Sequence, residues 1–412
     1  MKRAALYIIL LYAFAASVAA KQTTADFPHA NSDTIRVPHN ATEADIHRAF
    51  VAQDLEQELR NSDEGRYHLS MMVYDLTDGC KVFSYHPRQT KRPASNQKLV
   101  TAIAALEVLG AEYQLYTPLS VQGEISDACL NGSIFLRGGF DPLISVSDLQ
   151  RLAESVRAEG IDTVRGDLVF DISMKDTLQA GWGWCWDDEN PMMSPLLMQG
   201  RTTYKDLLPS LLRKAGVTLL GTVRFGREPS DARRICEVRH KISDILRPTM
   251  KDSDNQMAEV LFYHLAASSG TPYAGRKEAV ACVENIIKEC GLVPEDYIVA
   301  DGSGLSLYNY VTAELMLSLL KYAYQSESIY DALLESLPIA GVDGTLKNRM
   351  KNTVAAGNVK AKTGTVKGVS TLSGYATASD GHRYVFSILV NGTLSSKNAR
   401  ALQDRLCEII CK

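Results

Sequence analysis

Apolar spacing changes period several times along the chain, and each change predicts an element. Between residues 42 and 60, Ile46, Phe50, Leu55 and Leu59 recur at helical intervals in a charged background, which predicts a helix. Residues 68–75 and 80–86 are rich in strand formers and are parted by Leu76-Thr77-Asp78-Gly79, so they read as a hairpin. Residues 96–109, dense in Ala, Leu and Val, predict a buried helix stopped by Gly110. Short strands punctuated by Gly and Asp follow to about residue 140, then an amphipathic helix over 147–158, short strands near 166–170 and a helix over 205–214. Helical patterns return at 254–267, 276–290 and 312–324. The chain ends strand, strand, strand, helix, over 358–366, 370–378, 383–390 and 395–411, with Ser379-Asp380-Gly381 as the last strand turn. The expected class is α/β, with a sheet assembled from both chain ends and flanked by helices.

Composition narrows the setting. Met1-Lys2-Arg3, an apolar run over 4–16 and the small residues Ser17-Val18-Ala19-Ala20 predict a secretory signal peptide, with cleavage expected after Ala20. That run is too short for a membrane span, and no later segment reaches spanning length, so an exported, soluble protein is expected. With 45% hydrophobic and 22% charged residues the chain is globular, and a formal charge of −4 excludes a nucleic-acid surface or a polybasic membrane patch. Eight cysteines, the first being Cys80, allow 105 pairings or serve as small buried hydrophobes, and both readings stay open. There is no C-x-x-C pair and the eight histidines show no ligand spacing, so no metal is expected.

Chemistry enters with three short motifs in one order: Ser95-Asn96-Gln97-Lys98, Ser253-Asp254-Asn255 and Lys362-Thr363-Gly364-Thr365. At i and i+3 on a helix, Ser95 and Lys98 face the same side, ~5–6 Å apart between Cβ atoms. A serine becomes nucleophilic when a neighbouring base takes its proton, and a lysine serves once burial or a second cation lowers its pKa. Lys362 is the expected second cation. The start of a helix also places positive backbone charge where an oxyanion would form. Each motif alone has an ordinary reading: Ser95 and Ser253-Asp254-Asn255 as helix caps, Lys362 as an edge-strand lysine. Ser318-Leu319-Leu320-Lys321 repeats the first pattern but lies mid-helix, and Ser396-Lys397-Asn398 repeats the second out of order.

In order and placement, on two helix starts and an edge strand, the motifs match the serine penicillin-recognising enzymes. Across most of residues 45–412 the chain resembles the exported D-alanyl-D-alanine carboxypeptidase/endopeptidases, the low-molecular-mass class C penicillin-binding proteins. Gly-Phe-Asp-Pro at 139–142, Gly-Asp-Leu-Val-Phe-Asp at 166–171, Gly-Trp-x-Trp at 181–184, Asp-Gly-Ser-Gly-Leu-Ser at 301–306 and Gly-Val-Asp-Gly-Thr-Leu at 341–346 carry the likeness further. The resemblance implies a serine β-lactamase/transpeptidase-like α/β/α domain from residues 21–114 and 241–412, with a smaller mixed α/β domain inserted over 115–240. The 158 residues from Ser95 to Ser253 leave room for that insertion.

It also implies roles. Ser95 would attack the carbonyl of the penultimate D-alanine of a peptidoglycan stem peptide, forming an acyl-enzyme, and Lys98 would take its proton. Ser253 would relay a proton to the leaving nitrogen, and Asn255 would bond the substrate amide or Lys98. Lys362 and Thr363 would bind the terminal carboxylate. Gly364 admits a close backbone, and the N–H groups of Ser95 and Thr365 would form the oxyanion hole. Trp184 and Asp187, in the loop that holds all three tryptophans, would meet the peptide side chain; the alternative is that the rings fill a domain junction. β-Lactams would acylate the same serine, no cofactor is implied, and the location would be periplasmic. The family often has Ser-Arg-x-Asn where this chain has Ser306-Leu307-Tyr308-Asn309, and leucine cannot bind a carboxylate, which leaves recognition of a side-chain carboxyl open. A β-lactamase and a non-catalytic peptidoglycan-binding or antibiotic-sensing protein are the alternatives. Oligomeric state and the balance of carboxypeptidase and endopeptidase activity are not legible in the sequence.

Overall fold

The computed structural model describes residues 41–62, 68–186 and 189–412. The expected leader (1–20) and the segment after it (21–40) lie outside the described residues. The first helix, α1 (Glu43–Asn61), starts where Thr42 and Asp45 each bond the other's backbone, a reciprocal cap. The hairpin β1 (His68–Asp75) and β2 (Cys80–Tyr85) follows. A 3-10 turn over Ala94–Asn96 feeds α2 (Gln97–Leu109), and Gly110 ends that helix at φ 88°.

The next segment forms a separate sheet. β3 (Gln114–Ser126) and β4 (Cys129–Arg137) pair antiparallel over a turn whose two residues, Asp127 and Ala128, both have positive φ (52° and 61°). Two left-handed turn residues match the twist of the flanking strands. These strands are long, whereas the sequence pattern predicts short ones. The glycines read as breaks are close approaches instead: Gly123 faces Gly132 across the ladder, and a Cβ on Gly132 would lie 1.8 Å from the Gln122 carbonyl oxygen. Then come α3 (Val146–Ala158), β5 (Thr163–Val164), β6 (Leu168–Asp171), β7 (Leu197–Met198), β8 (Thr202–Thr203), α4 (Leu208–Lys214), β9 (Thr218–Leu219), β10 (Val223–Phe225) and β11 (Arg233–Lys241). The strand order is β10-β6-β4-β3-β11, and α3 and α4 bury Leu149, Leu152, Leu208 and Leu212 against one face.

The chain then builds an all-helical layer: α5 (Ile242–Lys251), α6 (Asn255–Ala267), α7 (Arg276–Glu289), α8 (Ala313–Gln325) and α9 (Glu327–Ser336). Pro248 masks α5 in the sequence, yet Ile242, Ile245, Leu246 and Met250 sit on its buried face. Finally β12 (Lys360–Val366), β13 (Val369–Thr377) and β14 (Arg383–Asn391) lead into α10 (Ser396–Ile410).

The main sheet runs β12-β13-β14-β1-β2, all antiparallel, so strands from the two chain ends are neighbours. On one face α1 and α10 cover Phe386, Ile388 and Leu372; on the other, α2 and α5–α9 meet Val385, Leu389 and Tyr375. This alternation is the two-residue period of a strand buried on both sides. The expected α/β/α layering is what the chain adopts. Cys407 and Cys411 are buried free thiols, in line with the small-hydrophobe reading, whereas Cys80, Cys129, Cys236, Cys282 and Cys290 are free thiols that are only half-buried. Among the described residues no helix is long and apolar enough to cross a membrane.

Leu372 is fully buried between the sheet and α10. Leu372→Ala should lower unfolding free energy by about 2–5 kcal/mol, read from the midpoint of a urea titration, by emptying a site that cannot collapse.

Candidate active site

Three backbone irregularities set the site up. Ala94, just before Ser95, holds φ 48°, and Ser253 holds φ 61°, both in the left-handed region that L-residues rarely adopt. Such positions persist when the surroundings over-determine them, and they cluster at functional sites. The third is Gly304, at φ 80°, where a Cβ would lie 1.9 Å from the Ala94 carbonyl oxygen. The loop after Val299 therefore lies directly on the turn that presents Ser95.

Ser95 caps nothing: the starts of the 3-10 turn and of α2 carry no side-chain cap bond. Its Oγ lies 3.0 Å from Nζ of Lys98, one turn along α2. Lys98 is fully buried, and its Nζ also reaches Asn255 Oδ1 at 2.8 Å and the Ser303 carbonyl oxygen at 2.7 Å. In the second motif the work is divided. Asp254 caps α6 by accepting from the Met257 N–H at 3.0 Å, which aims Ser253 and Asn255 to either side of it. Lys362, on the sheet edge, is fully buried with Nζ 2.9 Å from Ser253 Oγ and 2.8 Å from the Thr363 carbonyl oxygen. Gly364 lets β12 pass over the serine turn: a Cβ there would lie 2.7 Å from the Pro93 carbonyl oxygen and 3.0 Å from the Asn96 nitrogen. The three motifs thus meet, through Lys98 with Ser95 and Asn255, and through Lys362 with Ser253.

Sequence reasoning missed the groups that hold Lys98 in place. Glu259, buried on α6, accepts from the N–H groups of Gly302 (3.1 Å) and Ser303 (2.8 Å). Asp301 accepts from the N–H groups of Gly304 (2.8 Å) and Ser306 (2.7 Å) and from the Asn309 amide (2.7 Å). Trp184 donates its indole N–H to Asp301 at 2.8 Å, so the ring braces this loop. A carboxylate four residues after Asn255 in an apolar helix was the available signal for Glu259. Trp182 and Trp186 are 50% and 93% exposed, which removes the reading that all three rings fill a domain junction. Asp187 lies outside the described residues. Leu307 and Tyr308 are exposed, with the Tyr308 ring tilted against Trp182 at 5.1 Å between ring centres. Thr363 and Thr365 stand on β12 with Thr363 Oγ1 2.7 Å from Thr345 Oγ1.

Burial pulls Lys98 down to about 8, against the upward pull of Asp301, Glu259 and Asp254. Burial also drives Lys362 well below the usual lysine range, with the charge of Lys98 adding to it. Burial is thus the first cause for both lysines, and the repulsion between two neighbouring amines adds to it. Glu259 is raised to about 8, by burial first and then by Asp301.

The model of one family matches this chain over residues 51–199 and 196–411. The chain belongs to the D-Ala-D-Ala carboxypeptidase 3 (S13) family. It is therefore a serine-type hydrolase. A D-alanyl-D-alanine carboxypeptidase of Actinomadura sp. is 30% identical in an alignment of 442 positions, gaps included, that covers 82% of this chain and 80% of the relative. The structure of penicillin binding protein 4 from Haemophilus influenzae, 25% identical, covers 87% of this chain and 97% of its own at a TM-score of 0.75. The same protein complexed with a β-lactam superposes at 0.72. The S13 chain shares its layered fold with these neighbours.

Gly304→Ala is expected to cost on the order of 1–3 kcal/mol from backbone strain alone. The clash with Ala94 should also slow reaction of Ser95 with a fluorescent penicillin, measured beside urea unfolding of the same variant.

Proposed function

We propose that this S13 enzyme removes the terminal D-alanine from peptidoglycan stem peptides through an acyl-enzyme on Ser95, and that it also opens D-Ala crosslinks. One observation carries the reading: what surrounds Lys98 Nζ. Asn255 Oδ1 and the Ser303 carbonyl oxygen can only accept hydrogen bonds, so they take both N–H groups of a neutral amine. The lone pair is left for the third neighbour, the Ser95 hydroxyl at 3.0 Å. A base placed and poised in this way is what a serine nucleophile requires.

Ser95 Oγ attacks the penultimate D-alanine carbonyl carbon as its proton passes to Lys98. Backbone N–H groups of Ser95 and Thr365, the first in the 3-10 turn that feeds α2, hold the oxyanion. Collapse breaks the C–N bond, and the leaving nitrogen takes a proton through Ser253, whose hydroxyl is supported by Lys362. The proton delivered to that nitrogen is the one Lys98 took from Ser95; water then attacks the ester, its hydroxyl joining the acyl carbon and its other proton returning to Ser95 Oγ. A β-lactam ring presents the same amide carbonyl and acylates the same oxygen; the likeness to a β-lactam-bound neighbour supports this. We read residues 115–240 as an inserted domain and Asp187 and Trp184 as flanking the peptide, Trp184 by way of Asp301. We read the enzyme as exported to the periplasm; the location of peptidoglycan outside the cytoplasm and the leader-like pattern of residues 1–20 support this reading.

Labelled penicillin should attach covalently to the wild type and not to Ser95→Ala; labelling of that variant would refute the assignment. Mass spectrometry of purified crosslinked muropeptides should show loss of terminal D-alanine and conversion of dimers to monomers. With Lys98 at about 8, the acylation rate should rise as pH climbs through 8, because deprotonation creates the base. Lys98→Arg, which stays charged at every working pH, should remain unacylated throughout that titration.

A further inference from the structure

The edge strand β12 has two faces with different chemistry. Successive side chains point to opposite sides, so Lys362 and Gly364 share one face and Thr363 and Thr365 the other. Lys362 is sealed in: it has no exposure, and its Nζ is already held by Ser253 and the Thr363 carbonyl oxygen. Two of its three N–H groups are thereby used, and the third has no exposed surface from which a substrate carboxylate could reach it. The threonine face is open. Thr345 and Thr365 are exposed, Thr363 is half-buried, and Thr363 Oγ1 and Thr345 Oγ1 are 2.7 Å apart.

A cation stands on that same face. Arg400, on the second turn of α10, is exposed and donates from Nη2 to Thr365 Oγ1 at 3.4 Å. Its backbone is fixed, because Arg349 donates to the Arg400 carbonyl oxygen at 3.2 Å and to Asp404 at 2.6 Å. Among the described residues no carboxylate pairs with the Arg400 guanidinium. This differs from Arg349, Arg405, Arg233 and Arg224, each of which has an acidic partner. Three hydroxyls and an unpaired guanidinium form a planar-anion site, since a guanidinium presents parallel N–H groups that match a carboxylate.

We infer that Arg400, with the hydroxyls of Thr363 and Thr365, binds the free carboxylate of the leaving D-amino acid and so selects a peptide that ends one residue beyond the scissile bond. This rests on the proposed peptidase reading and moves the ionic contact from the sealed Lys362 to an open arginine. Lys362 then supports Ser253, and Arg400 sets the register of the substrate on the strand.

The test uses an N-acylated Lys-D-Ala-D-Ala peptide and its C-terminal carboxamide on the full-length enzyme. Arg400→Gln should lower kcat/KM for the free acid roughly 10- to 100-fold, the range of a lost hydrogen bond between charged groups, while the carboxamide changes little. Arg400→Lys should restore part of the preference for the acid, and Lys367→Gln, on the neighbouring turn, should leave both rates as in the wild type. An acid-to-amide ratio unchanged in Arg400→Gln would overturn the inference, and so would an equal fall for both peptides, which marks a structural role. A wild type that releases no D-alanine from the acid would overturn the peptidase reading and the inference with it. That outcome is distinct from an active wild type with an indifferent Arg400→Gln.

Discussion

The amine of Lys98 is the point on which the site turns. Two of its three neighbours are oxygens without hydrogens, and the third is the Ser95 hydroxyl. Much of the surrounding structure keeps those two oxygens where they are. Asn255 is held by the Asp254 cap of α6, and the Ser303 carbonyl by Glu259 and Asp301 working on successive N–H groups of one loop. Trp184 reaches that loop from a segment more than a hundred residues upstream in the chain, and Gly304 allows the loop to touch the serine turn.

Such a centre opposes folding. Lys98 has a folded pKa of about 8 against an ordinary 10.5, so between those values the unfolded chain binds the additional proton and stability rises with pH. Below that window the folded protein must keep a buried ammonium. Glu259, raised from 4.5 to about 8, acts with the opposite sign: stability falls as pH rises through that interval, because the unfolded carboxyl ionises first. Near neutrality, below both values, Glu259 is held neutral against its solvent preference and Lys98 is kept as an ammonium without its hydration. What offsets them is the apolar packing on both faces of the main sheet, from Phe386 and Leu372 on one side to Leu389 and Val385 on the other.

Local signals made much of this legible. Helical and two-residue periods located α1, α2, α6 to α8, α10 and the five strands of the main sheet, because each buries one consistent face. Motif order and placement singled out Ser95, Lys98, Ser253, Asn255 and Lys362, which the fold brings together in two hydrogen-bonded groups, Lys98 with Ser95 and Asn255, and Lys362 with Ser253. The failures have physical causes. Pro248 hid α5, although the helix tolerates it and turns its Pro248 carbonyl to cap the segment ahead of Ser253. Gly123 and Gly132 looked like breaks because a close strand crossing and a turn use the same residue. β11 mixes arginines with few apolar residues, as edge strands do, and so shows no alternation. Thr345 and Arg400 matter only through contacts made across long stretches of chain, and no local pattern announces such contacts.

The main sheet joins residue 68 to residue 391, since His68 on β1 pairs with Asn391 on β14. β14 is the spacer that attaches β12 and β13 to the hairpin from the other chain end. Until that last strand is in place, Lys362 has no sheet to belong to and Gly364 has no serine turn to cross. A chain synthesised only as far as β13 therefore carries an incomplete catalyst, and reactivity is acquired late, once β14 is in place.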